Sequence, residues 1–173
     1  YTDTVVQQSE RLAAMSTHVL ELARYENTEI VSDKTLYSLD EQLRRCVRQQ
    51  EREWLKKSLT VEGDLDPVDY YGNEELVEHI WSNLLSNAIR FTPAGGQITV
   101  VLRRGEGEVT VSVSDTGIGM DEETQRHIFD RFYRAAPYPD DRGNGLGLSI
   151  VRRVVTLCGG LSLIHISEPT RQE

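Results

Sequence analysis

Two segments with alternating apolar and polar residues, QITVVLR and EVTVSVSD, lie on either side of the turn-forming RGEGE. A period of two puts valine and isoleucine on one face of each strand, so the pair is expected to form a β-hairpin with a single buried face. That face needs a cover, and the rest of the chain offers helices. Residues 4–26 carry Val5, Leu12, Met15, Val19, Leu22 and Ala23 largely on one helical stripe, the pattern of a helix seeking a partner. After a break over residues 32–39, residues 39–55 are again helical, with Leu43, Val47 and Trp54 near one face. A strand pair is expected at residues 59–62 and 68–71, separated by the turn-rich GDLDP.

Asn73 can cap a third helix, residues 74–91, in which Leu76, Ile80, Leu84 and Ala88 recur at four-residue intervals. Pro93, Gly95 and Gly96 stop it. A short helix at residues 122–129, a polar loop and a last helix through about Leu157 complete the order. The fold class is therefore α+β, a two-layer α/β sandwich whose mixed, mainly antiparallel sheet is covered by helices. No internal repeat or low-complexity block is evident.

At 173 residues the chain suits one main domain with a small appendage. Lys and Arg number 19 against 28 Asp and Glu, a net charge of −9, which disfavours nucleic-acid binding through phosphate neutralisation. Cys46 and Cys158 lie far apart without CxxC or Cys/His ligand spacing, so two reduced thiols in a cytoplasmic domain is a simpler reading than a disulfide or zinc site. No apolar run approaches the about 20 residues that span a bilayer, and no secretory signal opens the chain. The piece is expected to be soluble, and any membrane link of a parent protein would lie outside it.

The hairpin ends in SDTGIGM, residues 114–120. Asp115 stands at the strand end, and Gly117 and Gly119 permit backbone geometry or close approach that a side chain would obstruct. By itself the stretch reads as either a strand-ending turn or a ligand loop. On the third helix, Asn83 and Asn87 are four residues apart and share a face with Arg90 one turn further on. Such amides can cap or cross-link neighbouring segments, and when buried they require partners. GNGLGL carries Gly143, Gly145 and Gly147 straight into SIVRRVVTL. Unpaired N–H groups at a helix start favour an anion there, although the same pattern serves an ordinary helix entry. It is neither the dinucleotide GxGxxG nor the GxxxxGK[ST] phosphate loop.

In order, HIWSNLLSNAIRF, SDTGIGM, IFDRFYR and GNGLGLSIV resemble the N box, first glycine box, F box and second glycine box of the catalytic domain of two-component sensor histidine kinases. The resemblance covers about residues 39–160 and implies a Bergerat-type fold that binds ATP and Mg²⁺ between helices under a mobile lid. It implies that Asn87 ligates Mg²⁺ with Asn83 beside it, that Arg90 and Arg134 contact phosphate, that Phe91 stacks on adenine and that Asp115 accepts a hydrogen bond from the adenine amino group. Gly117, Ile118, Gly119, Tyr133, Gly143, Gly145, Leu146, Gly147 and Leu148 fall in the nucleotide-binding boxes by the same match. Phe129 and Phe132 would anchor the lid, with plain core packing as the other reading. The lid, about residues 131–143, is polar and includes Pro137 and Pro139. Related ATPases carry a Glu one turn before the metal-binding Asn to activate water, whereas Asn83 stands there in this chain. An amide cannot act as a general base, so the resemblance implies phosphoryl transfer over hydrolysis. Glu78, a turn further off, is expected in solvent.

By the same resemblance, residues 1–30 are the second helix of a dimerisation and phosphoacceptor hairpin, residues 31–163 the ATP-binding domain, and residues 164–173 an atypical tail of non-native character. The family's acceptor sequence, a His followed directly by an acidic residue and soon by Pro, is absent, and His18, His79, His127 and His165 all lack that context. The implied parent is a homodimeric kinase that phosphorylates a His on a helix outside this chain and serves a response regulator. ATP binding without autophosphorylation is expected of the piece itself. Two other readings are a dimerisation or docking fragment that has lost nucleotide binding, and a related Bergerat-fold ATPase or anti-sigma kinase.

Overall fold

The computed structural model describes residues 2–26, 31–130, 133 and 147–159. Helix α1 (Thr2–Glu26) leaves Val5, Leu12, Val19 and Leu20 exposed along its length. Its C-terminal end is tied down where Tyr25 is buried and its carbonyl accepts a hydrogen bond from Arg153 Nε at 3.0 Å. A strand, β1 (Thr35–Ser38), then runs directly into α2 (Leu39–Gln49), with Ser38 as the N-cap. The single helix expected over residues 39–55 breaks at Gln50, whose N–H turns back to the Val47 carbonyl at 3.3 Å, and resumes as α3 (Glu51–Lys56).

Strands β2 (Thr60–Leu65) and β3 (Asp69–Gly72) follow, then α4 (Glu74–Phe91), β4 (Gln97–Arg104), β5 (Val109–Asp115), α5 (Glu122–His127) and α6 (Gly147–Leu157). The expected hairpin is present: β4 and β5 pair antiparallel from Ile98 opposite Asp115 to Arg104 opposite Val109. The expected pairing of the two preceding strands is not. β2 joins the other edge of β4 in parallel, Thr60 opposite Gln97, while β3 pairs antiparallel with β1, Thr35 opposite Gly72. The reason lies just after Pro67. Val68 donates its N–H to the Asp40 carboxylate at 3.2 Å and accepts from Leu39 N at 2.9 Å, which draws the chain to the start of α2 and away from β2. With α4 as the crossover between β2 and β4, parallel pairing follows.

The two-layer α/β arrangement expected from the sequence is present. Ile98, Val100 and Leu102 alternate along β4 and are buried against α4, which supplies Leu76, Val77, Ile80, Trp81, Leu85, Ala88 and Ile89. α2 adds Leu43, and α6 adds Ile150, Val151 and Val154. Burial of each Val, Leu or Ile among them stabilises the fold by about 1.5–3 kcal/mol. Leu84, expected on the same stripe, is only half-buried.

Candidate nucleotide site

α4 is fixed at both ends. Asn73 caps its start, with Oδ1 accepting from Leu76 N at 2.9 Å. At its finish, Thr92 N and Oγ1 both donate to the Ala88 carbonyl, at 3.1 and 2.6 Å. Lys57 donates from Nζ to the carbonyls of Ile89 at 2.7 Å and Arg90 at 3.2 Å, placing a cation where the helix dipole favours one. Between these anchors Asn83, Asn87 and Arg90 share one half-buried face, as their spacing predicts. Asn83 Nδ2 donates to the His79 carbonyl at 2.7 Å, and Arg90 donates from Nη2 to Asn87 Oδ1. The Arg90 guanidinium lies 4.8 Å from the centre of the Phe91 ring. Opposite this face α6 begins. A Cβ at Gly147 would stand 3.0 Å from Asn83 Oδ1, so the last glycine of GNGLGL lets the start of α6 approach the amide closely.

The Asp115 loop is pinned to the end of the same helix. Asp115 is the exposed last residue of β5, and its Oδ1 accepts from Gly117 N at 2.9 Å. A Cβ on Gly117 would fall 2.6 Å from the Phe91 carbonyl oxygen and 2.6 Å from Asp115 Oδ1, and Ile118 N donates to that same Phe91 carbonyl at 3.3 Å. Gly117 is thus required by close approach. Gly119 is required by conformation, with φ of +70° and open space around it. Between them the Ile118 side chain is 52% exposed, an apolar surface left uncovered beside Asp115.

Asp121 caps α5 by accepting from Thr124 N at 2.7 Å, and that bond holds its carboxyl below the ordinary value. The half-buried Phe129 joins α5 to α6: its carbonyl accepts from Ser149 Oγ at 2.9 Å, and the Arg152 guanidinium lies 5.8 Å from its ring. Tyr133 is half-buried with its ring 5.4 Å from that of His127, whose Nδ1 is 2.7 Å from Asp130 Oδ2. Leu148, half-buried, opens α6 beside Gly147. Arg134, Gly143, Gly145, Leu146 and Phe132 lie outside the described residues, as do the rest of the expected lid and residues 164–173.

Glu78 is not in solvent. It is half-buried, 3.7 Å from Arg45 Nε and 3.9 Å from Cys46 Sγ, and belongs to the contact between α2 and α4. Burial pushes the Cys46 thiol up to about 11, consistent with an inert reduced cysteine. Sequence reasoning missed Lys57, which carries no local signal because its partners are 32 and 33 residues away.

Residues 72–173 match the family described as histidine kinase-, DNA gyrase B-, and HSP90-like ATPase. The chain belongs to that family, as an ATP-binding catalytic domain of the sensor histidine kinase kind. It is 36% identical over 170 residues to the drug sensory protein A of a Synechocystis species, covering 90% of this chain and 25% of that protein. It is 29% identical over 160 residues to the heme sensor protein HssS of Staphylococcus saprophyticus, covering 92% of this chain and 34% of that one. Among solved structures it is similar to full-length ShkA in complex with AMPPNP, with a TM-score of 0.78, 25% identity, and coverage of 90% of this chain and 33% of that one. The chain thus spans about a third or less of the length of these relatives. Among the described residues no helix is long and apolar enough to cross a membrane.

Proposed function

We propose that the chain holds Mg²⁺-ATP between α4, the Asp115 loop and the start of α6, and presents it to a histidine on a helix outside these residues. One observation carries this reading: Asn83, on the face of α4 that it shares with Asn87, meets the N-terminus of α6, while the Asp115 loop is bonded to Phe91, the last residue of α4. The donor set suits the group. Amide oxygens are hard ligands of the kind Mg²⁺ accepts, the start of α6 favours phosphate, and Asp115 keeps an oxygen without a hydrogen-bond partner among the described residues. Asn87, with Asn83 beside it, would hold the metal, and Arg90, Arg134 and the glycines at 143, 145 and 147 would hold phosphate. Phe91, Asp115, Gly117, Ile118, Gly119, Tyr133, Leu146 and Leu148 would enclose the nucleoside. The bound Mg²⁺-ATP supplies a transferable γ-phosphoryl group whose charge the metal offsets.

Asn83 stands where a related ATPase needs a carboxylate, and it donates to the His79 carbonyl, so it orients and takes no proton. Residues 1–30 belong in this reading to the dimerisation hairpin of a homodimeric, membrane-linked parent, residues 31–163 to the catalytic domain, and residues 164–173 to an atypical tail. A response regulator is the expected downstream partner. Calorimetric titration with ATP and Mg²⁺ tests the site. Asn87→Ala and EDTA are each expected to weaken binding by about tenfold or more in a sample whose circular dichroism is unchanged. Metal-independent binding of normal strength by Asn87→Ala would sink the assignment.

A further inference from the structure

We propose that Gly96 and Thr116 are positioning residues that set the distance between the end of α4 and the Asp115 loop, and through it the preference for adenine. This rests on the nucleotide reading above. Gly96 follows the helix stop and immediately precedes β4. A Cβ there would lie 2.3 Å from Thr92 Cγ2, 2.9 Å from Thr116 Oγ1 and 3.0 Å from the Pro93 carbonyl oxygen. The backbone of residue 96 is therefore wedged between the last turn of α4 and the residue immediately after Asp115, and its missing side chain defines their separation.

A methyl group inserted at this point overlaps its neighbours on both sides, and the hydrogen bonds decide which way the backbone gives. Thr92 is fully buried and doubly bonded to the Ala88 carbonyl. The turn behind Gly96 cannot recoil, because Gly96 N donates to the Pro93 carbonyl at 3.0 Å and Gly95 N to the Lys57 carbonyl at 2.9 Å. Thr116 is exposed and is held by one reciprocal rung. Its N–H donates to the Gln97 carbonyl at 3.0 Å, and its Oγ1 accepts from Gln97 N at 2.9 Å. That rung extends the β4–β5 ladder one step past Ile98 and Asp115. The tightest contact is with Thr92, which does not yield, so residue 96 is driven off it and against Thr116, and the shift carries Asp115 and Gly117 on either side with it relative to Phe91 and Asn87. Phosphate and metal contacts stay with α4, while base recognition moves.

The test is titration of the wild type, Gly96→Ala, Thr116→Val and Thr116→Ser with Mg²⁺-ATP and Mg²⁺-GTP, alongside thermal melts. Gly96→Ala is expected to lower the ATP-to-GTP affinity ratio by about tenfold, the value of one lost hydrogen bond, while binding stays Mg²⁺-dependent. Thr116→Val shifts the ratio the same way by a smaller factor, and Thr116→Ser, which keeps the acceptor oxygen, leaves it at the wild-type value. A folded Gly96→Ala with an unchanged ratio, or with both nucleotides weakened alike, overturns the inference. If Gly96→Ala does not fold, the Thr116 pair decides, and identical ratios for Val and Ser overturn it. A wild type that binds no nucleotide overturns the site reading itself, whereas a wild type that binds ATP and GTP equally removes the role of Asp115 and this inference together.

Discussion

The two halves of α4 use polar residues in opposite ways. In the first half the hydrogen bonds cross to α2 and its cap. The fully buried Gln42 accepts from the Trp81 indole N–H at 2.9 Å and donates to the Glu74 carbonyl at 2.7 Å, and Gln50 donates to the Ser82 carbonyl at 3.1 Å. Arg45 lies 3.3 Å from Glu74 and 3.7 Å from Glu78. In the second half the side-chain amides bond along the helix, with Asn83 donating to His79 and Asn87 accepting from Arg90, and the bonds that cross, from Lys57 and Ile118, reach only backbone carbonyls in the last turn. Polar atoms spent on a neighbouring helix rigidify the core, and a ligand cannot compete for them. Amides bonded within their own helix, on a face that meets a helix start, remain open to competition. The difference separates residues that hold the fold from residues that hold something else.

The first half of α4 is most vulnerable at Trp81. Trp81→Ala empties part of the core and leaves Gln42 Oε1 buried without its donor, so a loss of about 3–5 kcal/mol is expected in urea unfolding. Nucleotide affinity of the remaining folded fraction should stay near that of the wild type. Affinity lost at full folding would mean that the first half of α4 also shapes the site.

Asp40 gives the next largest effect and adds a pH signature. Burial pushes its carboxyl up, but hydrogen bonds from Ser38, Arg44 and Val68 outweigh burial and carry it down from 3.8 to about 2. The folded value lies below the unfolded one, so the ionised carboxylate stabilises the fold. That contribution is complete above about pH 4 and is lost as pH falls towards about 2. Asp40→Asn should cost about 1–2 kcal/mol at neutral pH and flatten this acid limb in thermal melts, without altering Mg²⁺-ATP affinity. By contrast Asn87→Ala, which weakens binding by about tenfold or more in the proposed scheme, should change stability by less than about 1 kcal/mol.

Much of this division was written in local sequence. The hairpin of β4 and β5 announces itself by its period of two, and α4 by its cap, its four-residue repeat and its Pro-Gly stop. Asn83 and Asn87 were legible as candidates because two amides at helical spacing interrupt an apolar stripe. What stayed hidden depends on partners distant in sequence. The four-residue β1 has too short a pattern to read, and its pairing with β3 is decided by Asp40 and Val68, 28 residues apart. The break at Gln50 carries neither Pro nor Gly. Gly117 was legible as a point of close approach, but that the approach is to the Phe91 carbonyl is visible only in three dimensions. Gly96 read as a helix stop for the same reason.

Gly147→Ala probes the boundary between the halves with the smallest expected change in stability. Its backbone has no need of glycine, since its φ does not lie in the left-handed region and the residue simply begins α6. Alanine is the better helix former, so on propensity alone the substitution is neutral or stabilising by up to about 1 kcal/mol. The new methyl would meet Asn83 Oδ1 at 3.0 Å, a contact relieved when the amide shifts by a few tenths of an ångström. Thermal melts should therefore show a change within about 0.5 kcal/mol, while Mg²⁺-ATP affinity falls by roughly threefold to tenfold as Asn83 moves off its position. A marked loss of stability with untouched affinity would reverse the assignment, because residue 147 and the Asn83 amide would then belong with Gln42 and Trp81, among the residues that hold the fold.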